Sequence, residues 1–200
     1  SRGGAYWQGV SDGRNKMAQR IFRINTSELK SIIPELRAGD RVFLSGTIYT
    51  ARDAAHKKIF ELLDRGEQPP FEISGAVIYY AGPTPAREGM AVGSCGPTTS
   101  GRMDSFTPRL LDMGLIGMIG KGERSEEVVS AMVRNGAVYF CAVGGAGALI
   151  ARHIKTADVV AFPELGCESV KRMTVEDMPL TVGIDSRGVS IFDHLKKVSP

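Results

Sequence analysis

The sequence predicts a single α/β domain, and three observations carry that prediction. Short apolar runs rich in β-branched and aromatic residues alternate with stretches whose apolar positions have helical spacing. Glycine and proline clusters punctuate the two kinds of segment. A chain of 200 residues, 42% of them hydrophobic, is also enough for one sizeable core.

The elements follow in order. Residues 1–20 are glycine-rich and basic around Trp7, lack any periodicity and begin without methionine, so they are expected to be disordered or foreign to the natural chain. The folded domain is expected over residues 21–200. Thr26 or Ser27 can cap a short helix over 27–32, because a hydroxyl satisfies free amides at a helix start. Gly39-Asp40 then turns the chain into a strand over 41–49, and a helix over 53–63 carries the stripe Ile59, Leu62, Leu63. Gly66 to Pro70 stops it. Ala76 to Ala81 is short and apolar enough for a strand covered on both faces, and Gly82-Pro83-Thr84-Pro85 is a rigid loop before a short strand over 90–95.

A helix over 106–113 and a strand over 116–119 come next, followed by a helix over 125–135 with Ser125 at its start and Gly136 past its end. Ala137 to Val143 reads as a buried strand, and Gly144-Gly145-Ala146-Gly147 as the start of a helix. That glycine run fits neither GxGxxG nor GxxxxGK[ST], so close helix-to-strand packing accounts for it. Strands over 157–162 and 180–185, with a turn at 186–188, close the set.

Composition excludes several functions. The net charge of +3 comes from 25 basic and 22 acidic residues spread through the chain, with no basic stripe for nucleic acid. No apolar run approaches the roughly 18 residues of a membrane span, so a cytoplasmic protein without membrane partner is expected. The three cysteines, Cys95, Cys141 and Cys167, are widely spaced, which argues against a disulfide framework and against CxxC metal or redox motifs. Metal-ligand spacing, a GxSxG elbow and paired catalytic carboxylates are absent from the sequence.

What remains is anion chemistry. Gly96-Pro97-Thr98-Thr99-Ser100-Gly101-Arg102 sets hydroxyls and a guanidinium among glycines. Thr50-Ala51-Arg52-Asp53-Ala54-Ala55-His56 stands at a strand-to-helix junction, where free amides attract anions. Gly120-Lys121-Gly122 follows a third strand. Arg52-Asp53 alone would be a surface pair, and Thr98-Thr99 alone an ordinary turn. Together, Arg52, Arg102 and Lys121 can grip a dicarboxylate or phosphate, provided their loops converge at one sheet edge. His56 lies one helical turn from Arg52, within reach of the same place. The set has no strong acid, base or electrophile, so another chain or domain is expected to complete it.

In chain order, Gly39-Asp40 with Leu44-Ser45-Gly46, then Thr50 to His56, Ala81-Gly82-Pro83, Gly96 to Met103 and Gly120-Lys121-Gly122 make the chain resemble the β subunit, or C-terminal domain, of iron-sulfur-dependent class I fumarases and L-tartrate dehydratases. The resemblance runs from about residue 25 to the end. It implies a swivelling β/β/α domain and a separate α subunit, in an α2β2 assembly, whose own cysteines hold a four-iron, four-sulfur (4Fe-4S) cluster. Cys95, Cys141 and Cys167 are then not cluster ligands. It further implies reversible hydration of fumarate to malate, or dehydration of L-tartrate, with Arg52, Thr98, Thr99, Arg102 and Lys121 binding the substrate. Thr98 is implied as the proton-transfer residue, and Asp53 and His56 as supporting residues. A stand-alone dicarboxylate-binding module and a purely structural subunit are the competing readings.

Overall fold

Seven strands and five α-helices are described in the computed structural model, which covers residues 19–142 and 147–193. The strands are β1 (Ile21–Asn25), β2 (Arg41–Thr50), β3 (Val77–Tyr79), β4 (Gly117–Gly120), β5 (Val138–Cys141), β6 (Ile154–Ala161) and β7 (Val170–Ile184). The helices are α1 (Leu29–Ile32), α2 (Asp53–Asp64), α3 (Thr107–Asp112), α4 (Glu126–Asn135) and α5 (Gly147–Ala151). The result is one α/β domain with a mixed sheet.

Strands β1 to β5 run parallel in sequence order, and β7 is antiparallel to β2, β5 and β6. Because β7 pairs with both β2 and β5, the circuit β2-β3-β4-β5-β7 closes on itself, leaving β1 and β6 outside it. Successive residues of a strand point to opposite faces, so the two faces feed two cores. Leu44, Ile48, Val77, Tyr79, Ile119, Phe140 and Val182 belong to one. Ile78, Tyr80, Met118 and Tyr139 belong to the other, packed with Ala55 and Ile59 of α2, Leu110 and Leu111 of α3, and Val128 and Met132 of α4.

Local chemistry fixes the elements that matter for the site. Helix α4 is capped by Ser125 Oγ, which accepts the Val128 amide at 3.3 Å, and ends at Gly136, whose φ of 66° suits glycine. In β2, Gly46 has φ 111° and lies so close to Thr26 that a Cβ would overlap the Thr26 hydroxyl.

Several expectations need correction. The helix expected over 27–32 spans only Leu29–Ile32, and neither hydroxyl caps it. Thr26 Oγ1 instead accepts the Thr47 amide at 3.0 Å, and Ser27 Oγ donates to Asn25 Oδ1 at 2.9 Å. Residues 90–95 form no strand. Their backbone turns aside, with Gly93 N donating to Thr84 O at 3.1 Å and Cys95 N to Gly147 O at 3.1 Å. Strand β1 went unread, and β7 begins ten residues before the expected strand over 180–185. The glycine run at 144–147 lies outside the described residues except for Gly147, which opens α5. The expected N-terminal segment also lies outside them, apart from residues 19 and 20. Among the described residues, no helix is long and apolar enough to cross a membrane.

Candidate functional site

The site is built on the C-terminal ends of β2, β3 and β4. Strand β2 ends at Thr50, Ala51 N donates to Tyr79 O at 3.1 Å, and Arg52 is the residue from which α2 starts. The chain beyond Cys95 then returns to the split between β3 and β4. Thr98 N donates to Tyr80 O at 2.7 Å, Ser100 N donates to Lys121 O at 2.9 Å, and Thr99 bridges in parallel to Lys121. Residues 98–100 thus occupy the place of a short extra strand, which puts Thr98 and Thr99 beside Lys121.

The next turn, a 3-10 helix over Ser100–Met103, carries Arg102 toward α2. There its Nε donates to Asp53 Oδ1 at 3.2 Å and its Nη2 lies 2.9 Å from Oδ2. The first and second motifs are therefore joined by Asp53–Arg102, and the second and third by Thr99–Lys121. Lys121, Thr99 and Arg102 are exposed, whereas Arg52, Asp53 and Thr98 are half-buried.

Behind this edge the packing is tight. A Cβ at Gly120 would overlap the Ser100 hydroxyl and approach Tyr80 Cδ2 within 2.8 Å, so only glycine lets the loop sit there. Tyr139 OH donates to Gly122 O at 2.8 Å, which leaves Ser100 Oγ as the donor in its 2.7 Å contact with the same phenol oxygen. Burial pushes the Tyr139 phenol well above its ordinary pKa, keeping it a neutral donor.

His56 is turned inward and not toward the open edge. It is fully buried, with its ring 5.8 Å from that of Tyr80 and 5.4 Å from that of Phe106. Its Nδ1 lies 2.8 Å from Arg52 O; a carbonyl only accepts, so Nδ1 carries the proton and Nε2 is left without a partner. Burial, the largest influence, lowers its pKa to about 4 and keeps the ring neutral.

The three cysteines differ in their surroundings. Cys95 is buried with its thiol pushed up to about 12 by desolvation, Cys141 ends β5 half-buried, and Cys167 is exposed in the turn before β7. Among the described residues, no three His, Cys, Asp or Glu side chains are grouped to hold a metal ion.

Comparison with known proteins gives this arrangement a family. The model for the fumarase C-terminus matches residues 3–195. The chain belongs to the fumarase C-terminal family. Its relatives include the aerobic class I fumarate hydratase of Salmonella typhimurium, 40% identical over 172 residues. That match covers 85% of this chain but 30% of the relative. Fumarate hydratase 2 of Leishmania major is 40% identical over 82% of this chain and 29% of its own length. The putative L(+)-tartrate dehydratase subunit beta of Methanocaldococcus jannaschii is 38% identical over 84% of this chain and 89% of its own. The chain thus spans about a third or less of the fumarate hydratases and most of the tartrate dehydratase subunit.

In this fumarase C-terminal chain, three residues near the site escaped the sequence reading. Arg124, its side chain fully enclosed, donates from Nε to Asp104 Oδ1 at 2.7 Å and from Nη2 to Tyr80 OH and Thr107 Oγ1, both at 3.0 Å. It also lies over the Tyr80 and Tyr139 rings. Lys171 directs Nζ at the carbonyls of Gly166, Cys167 and Ser169, and Glu168 reaches Arg52. The position of Arg124 three residues after Lys121 was the one available signal; nothing local marks Glu168 or Lys171.

Proposed function

We propose that this chain supplies the substrate-gripping half of a hydro-lyase that reversibly hydrates fumarate to malate. A partner α subunit completes the site and holds the 4Fe-4S cluster, in an α2β2 assembly in the cytoplasm. The observation that carries this reading is the junction of three cationic motifs at one edge of the sheet, through Asp53–Arg102 and Thr99–Lys121, in a chain of the fumarase C-terminal family.

The chemistry follows from the residue types. A dicarboxylate presents two anionic ends, and a guanidinium meets a carboxylate through two parallel hydrogen bonds while lysine adds a point charge. Arg52, Arg102 and Lys121 serve as those grips, with Thr98 and Thr99 beside Lys121. Thr98 is the residue of this chain that moves a proton at the carbon next to a carboxylate. A free hydroxyl is a weak base, so Lys121 and Arg102 act by stabilising the charge it acquires. Asp53 orients Arg102, and His56 holds the Arg52 carbonyl.

L-Tartrate dehydration is the second reading, favoured by the similarity to the archaeal subunit over most of its length. The two substrates differ in hydroxylation, a difference read by a few polar contacts. The test is co-expression with a cluster-bearing α subunit from the same genome, anaerobic purification, and assay of fumarate hydration beside tartrate dehydration. Turnover only with the partner present supports the reading. Tight dicarboxylate binding by this chain alone, with an inactive complex, makes it a binding module instead.

A further inference from the structure

The guanidinium of Arg52 is built into a slot. Its Nε is buried and has no hydrogen-bond partner, and Glu168 Oε1 lies 3.8 Å from it, inside ion-pair range but beyond hydrogen-bond reach. Gly82 also stands against it, where a Cβ would lie 3.2 Å from each of Arg52 Cδ, Arg52 Nη1 and Cys167 O. The Arg52 side chain therefore lies beside both the Gly82 backbone and the turn that carries Glu168.

That turn is rigidly supported. It spans Pro163–Glu168 and reverses at Gly166, with φ 60° and ψ −121°. Lys171 Nζ ties together Gly166 O at 3.4 Å, Cys167 O at 3.2 Å and Ser169 Oγ at 2.8 Å. Lys171 N donates to Thr50 Oγ1 at 3.1 Å, so the start of β7, three residues after Glu168, is pinned to the last residue of β2, two positions before Arg52. The backbone at Glu168 is consequently flanked by fixed points on both sides. Asp53, the neighbouring carboxylate, is engaged by Arg102.

We propose that Glu168 is the positioning residue for Arg52, holding the Nε edge of the guanidinium so that its Nη edge meets the substrate carboxylate. This rests on the dicarboxylate reading. A carboxylate near an anion site repels the ligand, so the sign of its effect separates the alternatives: positioning makes Glu168→Gln bind dicarboxylate more weakly, whereas mere proximity makes it bind more tightly.

In the assembled enzyme, Glu168→Gln is expected to raise KM about tenfold with kcat changed far less, because the misplaced group is a binding group. In an Arg52→Ala background the same substitution is expected to have no weakening effect. An unchanged or lowered KM for Glu168→Gln overturns the proposal, as does equal weakening in both backgrounds. A wild-type assembly inactive on both fumarate and L-tartrate overturns the dicarboxylate reading instead. The contact is then read by NMR on the isotope-labelled full chain, with the Arg52 Nε–H resonance assigned through Arg52→Lys. Glu168→Gln must shift that resonance and speed its solvent exchange; an unmoved resonance overturns the proposal.

Discussion

Arg102 and Asp53 meet with one aligned hydrogen bond, Nε to Oδ1 at 3.2 Å, and one purely ionic approach, Nη2 to Oδ2 at 2.9 Å. With their side chains 54% and 30% exposed, water screens most of that attraction. The pair is therefore a weak tie to the fold and leaves Arg102 free to exchange one carboxylate for another.

Two substitutions separate these roles. Asp53→Asn is expected to change unfolding free energy by less than about 1 kcal/mol in urea titrations. Arg102→Ala in the assembled enzyme is expected to cost about 2 to 5 kcal/mol in kcat/KM, as a lost bidentate grip does. Unchanged kinetics in the second variant would remove Arg102 from the site.

Thr98 is held by its backbone, through Thr98 N to Tyr80 O, so its side chain can be altered without moving the loop. Thr98→Val keeps the shape and removes the hydroxyl. Assembly should persist, by gel filtration with the partner, while kcat falls much further than KM rises. Equal losses would show that the residue only binds.

Arg124→Met is the structural counterpart. The substitution fills the space but strips Asp104, Tyr80 and Thr107 of their shared donor. Breaking one side of an enclosed ion pair is expected to cost about 3 kcal/mol, read as a lowered urea midpoint at unchanged slope. A loss below about 1 kcal/mol would mean that Asp104 is satisfied by the Ser125 amide alone.

His56 makes stability fall in mild acid. Its folded pKa of about 4 lies below the 6.5 of the unfolded chain, so the unfolded state takes up the proton first. The neutral ring's contribution is complete above about pH 6.5 and declines as the pH falls toward 4, by on the order of 3 kcal/mol. Urea titrations across that window should show wild type losing stability more steeply than His56→Gln. Parallel curves would place the acid sensitivity elsewhere.

The elements that carry the site were largely legible. Helix α2 was expected over 53–63 and spans Asp53–Asp64; β2 was expected over 41–49 and spans Arg41–Thr50. Helix α2 carries a helical stripe and β2 a run of β-forming residues, each beside clear stop signals. Strand β7 hid because its alternation changes parity. Met173 and Val175 are buried, then Met178, Leu180 and Val182, with the break at Asp177, whose φ is 49° and whose amide donates to Ser45 Oγ. A bulge of this kind erases a period-2 signal even where every second residue is apolar. Residues 90–95 erred the other way: Met90-Ala91-Val92 looks like a strand, but the amides of Gly93 and Ser94 are taken by Thr84 in the loop before them and not by a sheet neighbour. Residues 52, 98, 102 and 121 were singled out because each lies within two residues of a glycine or a strand end. Glu168 was not, since its link to Arg52 exists only after β7 has returned alongside β2.

The closure of the sheet by β7 also orders events in time. Thr47 pairs with Thr174 and Arg41 with Thr181, contacts between residues far apart along the chain, and such pairings form late because a long loop must be closed first. During synthesis, the segments bearing Arg52, Thr98, Arg102 and Lys121 emerge well before the strand that closes their ring. A ribosome stalled before Val170 would display all four residues without the strand that closes the ring. Any partner that recognises the closed ring thereby accepts only finished chains.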